Sequence, residues 1–242
     1  MPIHNSELTY NGKNPGAVKF GNFINYYSFH PSKERTNNLD PKMFPLTENE
    51  RIICLDIGCN TGELTKDLYY YLKSIYCNKT VKLLAIDIDP TLIERAKEGN
   101  HICDISFLTC DIVSDAGCQI IQEYKETQKT LMFDVIFCFS VTMWIHINNG
   151  DEELIKLLNF LKDNTRSLII EPQPWKCYKN AQRRMKKSGK EFELYEFLRI
   201  RNNVDETIED ILNNSTHTKV FESASSSWNR KIQSYHLKSD SV

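Results

Sequence analysis

The 242-residue sequence predicts an α/β fold built on a mostly parallel, Rossmann-like sheet, and three observations carry this prediction. From about residue 51, short runs rich in β-branched and aromatic residues alternate with longer stretches of helical period, which is typical of βαβ units. Two further strand-like runs flank residues 223–229, and as a hairpin they would add an antiparallel pair at one edge of the sheet. The hydrophobic content of 40 % allows a substantial core and excludes general disorder.

The predicted elements follow one another in a regular order. Strands are expected at residues 52–57, 82–88, 105–110, 133–139 and 167–170, with the late pair at 219–222 and 231–237. Helices are expected at residues 62–74, 90–98, 116–126 and 151–163, followed by a basic helix-like stretch over 175–190 and two amphipathic pieces, 191–200 and 205–212. Asp89 can cap the second helix, and Pro90 suits its first turn. Five parallel strands plus a terminal hairpin form the seven-stranded sheet of class I S-adenosylmethionine-dependent methyltransferases, which is the fold we expect.

The first 50 residues differ in composition from the rest and are rich in Asn, Pro and Gly. Within them, Phe20, Phe23 and Tyr27 share one face of a helix. Two interpretations are compatible: a helix docked on the core by apolar burial, or a lid over a ligand site. We therefore divide the chain into an N-terminal aromatic segment, residues 1–50, and a methyltransferase domain, residues 51–242.

The net charge and the hydropathy of the sequence limit how it could bind nucleic acid or a membrane. The net charge is −2, from 30 basic and 32 acidic residues, so any nucleic acid must be met by a local patch. The longest uncharged apolar run, residues 135–145, is far shorter than the roughly 20 residues of a membrane helix. The first seven residues lack the basic and apolar parts of a signal peptide. We expect a monomer without membrane contact in the cytoplasm, with the nucleus as the alternative.

The eight cysteines form no C-x-x-C pair, which most structural zinc sites contain. Several of them, such as Cys54 and Cys138, lie inside apolar strand-like runs, where cysteine commonly serves as a small buried hydrophobe. The pattern predicts free thiols in a reducing compartment and no metal site.

A glycine turn follows the first predicted strand, in the string D-I-G-C-N-T-G at residues 56–62. Glycine at a strand-to-helix turn lets the backbone approach a ligand closely. The dinucleotide pattern G-x-G-x-x-G is absent, because residue 60 is Asn and residue 63 is Glu. Asp56 beside the turn would repel a pyrophosphate, but it suits the ammonium group of an amino-acid ligand. Taken alone, the turn is also compatible with plain loop geometry.

Three consecutive predicted strands each end in an acidic residue, and the ends of parallel strands meet at one edge of a sheet. Asp87 follows the second strand and is placed to accept hydrogen bonds from both ribose hydroxyls. Asp111 follows the third strand and can accept from an adenine amino group, while the backbone N–H of Ile112 meets a ring nitrogen. The sequence therefore predicts a nucleoside site, and S-adenosylmethionine fits its chemistry.

Three segments of the sequence resemble a known family. They are residues 21–35, with G-N-F-I-N-Y-Y, the string W-I-H-I-N-N-G-D at 144–151, and E-P-Q-P-W-K-C-Y at 171–178. They are similar to the Bicoid-interacting-protein family of RNA 5′-phosphate O-methyltransferases, over about residues 15–238. Residues 175–178, the pair Arg183 and Arg184, and residues 227–230 resemble the RNA 5′-monophosphate branch, known for microRNA precursors and histidine tRNA, more than the methylphosphate-capping branch.

The resemblance and the strand-end pattern together give a set of expected S-adenosylmethionine contacts. These candidates are Arg35, Asp56, Gly58, Cys59, Asn60, Asp87, Ile88, Asp111, Ile112 and Phe139. The family usually has Met or Leu at the position of Phe139.

Methylation of a terminal phosphate needs cations more than it needs a general base. A phosphate monoester has a second pKa near 6, so at neutral pH it is mostly a dianion that can attack a methyl group directly. Residues 176–190 carry seven Lys or Arg and no acid. The candidate acceptor contacts are His146, Lys176, Arg183 and Arg184. A solvated helix face is the alternative for the basic residues.

Three aromatic residues near these segments have two possible roles each. His146 can donate to the phosphate or be a satisfied turn histidine. Trp144 and Trp175 can stack on the terminal base or pack in the core.

The sequence as a whole predicts a methyltransferase that uses S-adenosylmethionine to methylate the 5′-monophosphate of a small RNA, a tRNA or a microRNA precursor. Three alternatives stay open: methylphosphate capping of a 5′-triphosphate, methylation of small molecules or proteins, and a non-catalytic RNA-binding module on the same fold.

Overall fold

Seven strands form one sheet in the order β3-β2-β1-β4-β5-β7-β6 in the computed structural model, which describes residues 18–238. The strands are β1 Arg51–Ile57, β2 Thr80–Asp87, β3 Ile105–Thr109, β4 Phe133–Phe139, β5 Thr165–Glu171, β6 His217–Glu222 and β7 Gln233–Leu237. The first five are parallel to one another, whereas β7 is antiparallel to both β5 and β6. The predicted fold is confirmed, and each predicted strand end lies within two residues of the observed one.

Eight helices connect the strands within the described residues. They are α1 Ser32–Asn37, α2 Glu63–Ile75, α3 Pro90–Glu98, α4 Asp115–Gln128, α5 Thr142–Asn149, α6 Asp151–Asp163, α7 Trp175–Lys187 and α8 Val204–Leu212, with short 3₁₀ turns at Tyr26–Ser28 and Pro41–Met43. Asp89 caps α3 as expected, accepting from the backbone N–H of Thr91 at 2.9 Å. No helix in the described part of the chain is long and apolar enough to cross a membrane.

Both faces of the sheet are covered, which explains why the central strands are continuous apolar runs. Ile53 and Leu55 of β1 pack in one cluster, with helices α4 to α8. Cys54, between them, points to the opposite face, where α2, α3 and the N-terminal segment pack. Every residue of β4 is buried. All eight cysteines are free thiols, as predicted.

The N-terminal segment is docked on the core, but the helix predicted from its aromatic spacing is wrong. Residues 18–25 are irregular, and Gly21 has a left-handed φ of 76°. The segment makes tertiary hydrogen bonds in place of helical ones: Asn22 donates to Asp89 at 2.8 Å, and the backbone carbonyl of Phe23 accepts from Asn60 at 2.9 Å. Residues 1–17 lie outside the described residues. They include the first third of this segment and the seven residues on which the signal-peptide expectation rests.

The Pro41–Met43 turn ties the N-terminal segment to the far strands of the sheet. The backbone carbonyl of Met43 accepts from Ser167 Oγ of β5 at 2.8 Å, and from Ser234 Oγ and His236 Nε2 of β7 at 2.9 Å each. One carbonyl group therefore joins three segments that are distant in the sequence.

Residues 191–200, predicted as the first of two amphipathic pieces, form turns and not a helix. The Asp151 carboxylate accepts from the backbone N–H of Arg199 at 2.8 Å and of Ile200 at 3.2 Å. The ring of Tyr195 stacks on Trp175 at 5.3 Å. These contacts hold the segment against α6 and α7 without the regular bonding of a helix.

Candidate cofactor and acceptor site

A cavity of about 410 Å³ lies at the carboxyl ends of the parallel strands. Its inner wall is formed by the residues that follow β1, β2, β3 and β4. Its outer wall includes Phe20, Asn22, Tyr26 and Tyr27 from the N-terminal segment. This position is compatible with the lid interpretation, while the division of the chain at residue 50 stays a prediction.

The turn after β1 brings the backbone to the edge of the cavity. Gly58 has a φ of 75°, and a Cβ atom there would lie 2.4 Å from Val141 Cγ2, so no other residue fits without a shift. The N–H groups of Gly58 and Cys59 both donate to the carbonyl of Ile86, at 2.8 and 3.0 Å. Asn60 adopts a φ of 52°, which asparagine tolerates better than most residues.

Two buried carboxylates lie at the base of the cavity. Asp56 accepts from Thr65 Oγ1 at 2.6 Å, and Asp87 accepts from the backbone N–H of Asn60 at 2.9 Å. Burial raises the pKa of each carboxyl to about 6. A ligand that brings a positive charge and hydroxyl donors would favour the ionised form of both. S-adenosylmethionine, with its ammonium, sulfonium and ribose, has this chemistry.

All ten cofactor candidates from the sequence line this one cavity. Asp111 and Ile112 lie on its wall at the end of β3, and burial raises the pKa of the Asp111 carboxyl. Phe139 is the last residue of β4 and Arg35 lies in α1, and both line the same cavity. Their contacts with a bound cofactor stay predictions, but their assembly around one space is a structural finding.

Arg35 is fixed by a bidentate ion pair with Glu171, where β5 ends. Its Nε donates to Glu171 Oε2 at 2.7 Å and its Nη2 to Oε1 at 3.0 Å. Nη2 also donates to Tyr26 Oη at 2.7 Å and to Ser140 Oγ at 3.0 Å. Both charged side chains are 1 % exposed. Burial alone would raise the pKa of Glu171, but Arg35 holds it below its ordinary value.

The sequence analysis missed Glu171, Ser140 and Arg230 as parts of this site. Glu171 could have been identified from the sequence, because it ends a parallel strand at the same edge of the sheet as Asp56 and Asp87. Ser140 has a left-handed φ of 60°, which sequence does not reveal. Arg230 reaches the site only through the loop between β6 and β7.

His146 has a structural role, which corrects its place among the phosphate contacts. The side chain is fully buried, with Nδ1 2.9 Å from Tyr178 Oη and Nε2 2.7 Å from Asp151 Oδ1. Both ring nitrogens are therefore engaged, and His146 is not among the residues that line the cavity. Burial lowers the pKa of His146, partly offset by Asp151, so the neutral imidazole predominates at pH 7.

The basic residues of α7 lie on its outer face. Lys176 and Arg183 are exposed, while Arg184 is half-buried with its guanidinium 5.8 Å from the centre of the Phe23 ring. None of the three lines the cavity. The exposed basic face of α7, meaning Lys176, Lys179, Arg183, Lys186 and Lys187, is therefore accessible to a partner from solvent.

The two tryptophans have separated roles. Trp175 is buried and stacked on Tyr195, so of its two predicted roles the structure supports packing in the core. Trp144 lines the cavity and contacts the Phe23 ring edge-on at 6.0 Å.

Within residues 18–238, no group of three His, Cys, Asp or Glu side chains is placed to hold a metal ion.

Comparison with known proteins agrees with this geometry. A model of the Bicoid-interacting protein 3 family matches residues 133–237, and a methyltransferase-domain model matches residues 55–167. The chain is 36 % identical over 234 residues to the pre-miRNA 5′-monophosphate methyltransferase of Xenopus laevis, covering 90 % of this chain and 92 % of that protein. It is 38 % identical over 213 residues to the RNA 5′-monophosphate methyltransferase of Bos taurus, covering 82 % and 73 %.

Among solved structures, a SAM-dependent methyltransferase from Anabaena variabilis superposes with a TM-score of 0.52 over 90 % of this chain and 86 % of that one. At 12 % identity, this likeness shows the fold alone. The two family relatives, by contrast, are more than a third identical to this chain over the aligned residues, which cover most of its length. The chain therefore belongs to the Bicoid-interacting protein 3 family and is a methyltransferase that uses S-adenosylmethionine.

Proposed function

We propose that this protein transfers a methyl group from S-adenosylmethionine to an oxygen of the 5′-monophosphate of a small RNA. The observation that carries the proposal is the position of the exposed basic face of α7. This helix begins at Trp175, four residues after Glu171, whose carboxylate binds the cavity-wall residue Arg35. RNA phosphates held along α7 would therefore lead to the edge of the cofactor cavity. The relatives named for RNA 5′-monophosphate methylation support the same substrate.

In this reaction the main role of the protein is to align the cofactor and the RNA phosphate. When bound, S-adenosylmethionine supplies an electrophilic methyl group, which a phosphate oxygen takes as the carbon–sulfur bond breaks. Asp56 and Asp87 hold the cofactor's cationic and ribose groups, and the N-terminal segment excludes water from the cavity. The acceptor is a dianion before transfer and a monoanion after it, so no proton has to be removed. Alignment of this kind can supply about 7–11 kcal/mol of the barrier.

The proposed RNA is a tRNA or a microRNA precursor. Both present a 5′-monophosphate at the end of a double-stranded stem, and a helix face with cations at helical spacing suits a regular row of phosphates. The eight free thiols and the predicted small-RNA substrate support a location in the cytoplasm. We propose that the protein acts there as a monomer.

The test uses one RNA hairpin with a 5′-monophosphate, a 5′-hydroxyl or a 5′-triphosphate, and labelled S-adenosylmethionine at saturation. The monophosphate form should be methylated fastest and the hydroxyl form not at all. The rate should fall as the pH drops below about 6, because protonation removes the dianion. Preference for the triphosphate would favour the capping alternative.

Three other outcomes would contradict the proposal. Methyl groups on the hydroxyl form, or at internal positions of an end-blocked RNA, would exclude phosphate chemistry. Transfer to phosphate-free small molecules or proteins would favour an ordinary methyltransferase. Binding of RNA without any transfer would favour the non-catalytic module.

A further inference from the structure

A second buried cluster adjoins the cofactor cavity, centred on Glu171. Arg230 donates from Nη1 to Ser140 Oγ at 2.6 Å and lies 3.4 Å from Glu171 Oε1. The same Ser140 hydroxyl binds Arg35, so one oxygen joins the two guanidinium groups. Because Arg35 lines the cavity, Arg230 lies one hydroxyl group away from the cofactor wall. Two guanidinium groups face one carboxylate here, which leaves the cluster with a net positive charge.

Three nitrogen atoms in this cluster are buried and have no hydrogen-bond partner: Arg35 Nη1, Arg230 Nε and His30 Nδ1. The Arg35 and Arg230 side chains are only 1 % and 10 % exposed. Native proteins rarely bury such groups unsatisfied, so the two guanidinium nitrogens, which can only donate, point to a missing acceptor. Burial, followed by the charges of Arg230 and Arg35, lowers the pKa of His30 to about 4. His30 is therefore neutral at pH 7, and Nδ1 donates in the tautomer that carries its proton there.

We propose that Arg230 and His30 form the subsite for the terminal phosphate of the acceptor, while Arg35 serves the cofactor. This inference rests on the proposed function and names the residues that would bind the phosphate. A phosphate dianion supplies acceptor oxygens for Arg230 Nε and His30 Nδ1, and guanidinium is well suited to bind it. The subsite adjoins the cofactor wall, as direct transfer between the two ligands requires.

The loop that carries Arg230 is held in place from the N-terminal side of the chain. Glu34 of α1 accepts from the backbone N–H of Ser227, and from Ser227 Oγ at 2.9 Å. The next residue, Trp228, donates to Glu171 at 3.3 Å and contacts the His30 ring edge-on at 4.8 Å. Glu34 is therefore a positioning residue, because it fixes the loop that brings Arg230 and Trp228 to the cluster.

The experiment measures binding of one RNA hairpin with a 5′-monophosphate or a 5′-hydroxyl, in the presence of S-adenosylhomocysteine so that no turnover occurs. The wild-type protein should bind the phosphorylated form at least tenfold more tightly. Arg230→Gln should reduce this preference to less than twofold and leave the affinities for the hydroxyl hairpin and S-adenosylhomocysteine unchanged. Arg166→Gln, at the opposite end of β5 beside Asp134, is the matched control and should behave as wild type.

A second variant covers the case in which Arg230→Gln does not fold. Glu34→Ala should raise the KM for the phosphorylated hairpin at least fivefold and leave the KM for S-adenosylmethionine unchanged, which a general loss of structure would not do. An unchanged KM for the hairpin would exclude the positioning role.

The outcomes separate this inference from the proposed function. If the wild-type protein methylates the phosphorylated hairpin and Arg230→Gln keeps the phosphate preference, the subsite lies elsewhere and the proposed function stands. If the wild-type protein neither distinguishes nor methylates the phosphorylated hairpin, both are overturned.

Discussion

Asp87 accepts a hydrogen bond from the backbone N–H of Asn60 at 2.9 Å, and this bond joins the turns that follow two neighbouring strands. The second oxygen of the same carboxylate accepts from the N–H of Asp89 at 3.0 Å. One buried side chain thus shapes two walls of the cofactor cavity before any ligand arrives.

Replacing this side chain should weaken cofactor binding. Asp87→Ala removes the carboxylate expected to bind the ribose hydroxyls, and charge-assisted hydrogen bonds contribute about 1.5–3 kcal/mol each. Calorimetry should show S-adenosylmethionine binding at least tenfold more weakly. Asp115→Ala, an exposed carboxylate in the first turn of α4, is the control and should leave the affinity unchanged. Equal affinities for Asp87→Ala and wild type would remove Asp87 from the cofactor site.

Cofactor affinity should depend on pH near 6. Burial raises the pKa of Asp56 and Asp87 to about 6, and the ammonium and hydroxyl groups of the cofactor favour the ionised carboxylates. Protonation of the carboxyls therefore opposes binding: the affinity should be highest near pH 7, where the cofactor's α-amino group is still mostly charged, and fall as the pH drops through 6 toward 5. Calorimetric titrations from pH 5 to 8 measure this profile. The Asp56→Asn variant has one titrating group fewer, so its profile should be shallower; a flat wild-type profile would contradict the assignment.

Gly21 should be essential for the outer wall of the cavity. Its φ is 76°, and a Cβ atom would lie 2.2 Å from Trp144 Nε1. Gly189 has the same φ with nothing within 4 Å, so Gly189→Ala isolates the backbone strain, about 1–2 kcal/mol. Gly21→Ala should lower the free energy of unfolding by more than Gly189→Ala and should also weaken S-adenosylmethionine binding. Equal effects of the two variants on unfolding and binding would mean that the contact with Trp144 is unimportant.

The exposed basic face of α7 should contribute to RNA affinity without affecting the cofactor. Reversing the charges of Lys179 and Arg183 should weaken binding of a phosphorylated hairpin and reduce the slope of log K against log salt by at least about 1.5. Lys156→Glu, an exposed lysine on α6, is the control. Calorimetry should find S-adenosylmethionine binding unchanged. If the double variant keeps both the RNA affinity and its salt dependence, the face is only solvated.

The strand-end acids could be predicted because the rule behind them is local. Asp56, Asp87 and Asp111 each follow an apolar run, and parallel strands bring their carboxyl ends to one edge. The inner wall of the cavity followed from these strand ends. The boundaries of α3 and α6 were also predictable. Each helix begins with a residue that favours a first turn, Pro90 or Asp151, and apolar residues then follow at helical spacing without interruption.

The remaining features depend on contacts that sequence periodicity does not encode. Arg35 and Glu171 are 136 positions apart, so their ion pair follows from tertiary packing. The spacing of Phe20 and Phe23 suggested a helix, but Gly21 and hydrogen bonds from other elements override this preference. Helix α5 went unpredicted, because its first turn has no capping side chain and five of its eight residues are buried, which hides the polar face of the helix.

The long separation between Arg35 and Glu171 also sets the order in which the site can be assembled during synthesis. A ribosome delivers the chain from its N-terminus, so Arg35 emerges well before its carboxylate partner exists. Until β5 is complete, a nascent chain would have to leave this guanidinium without its carboxylate partner. Arg230 arrives later still, in the last part of the chain. Competence to bind the cofactor and then the acceptor is therefore acquired in sequence, at the end of translation.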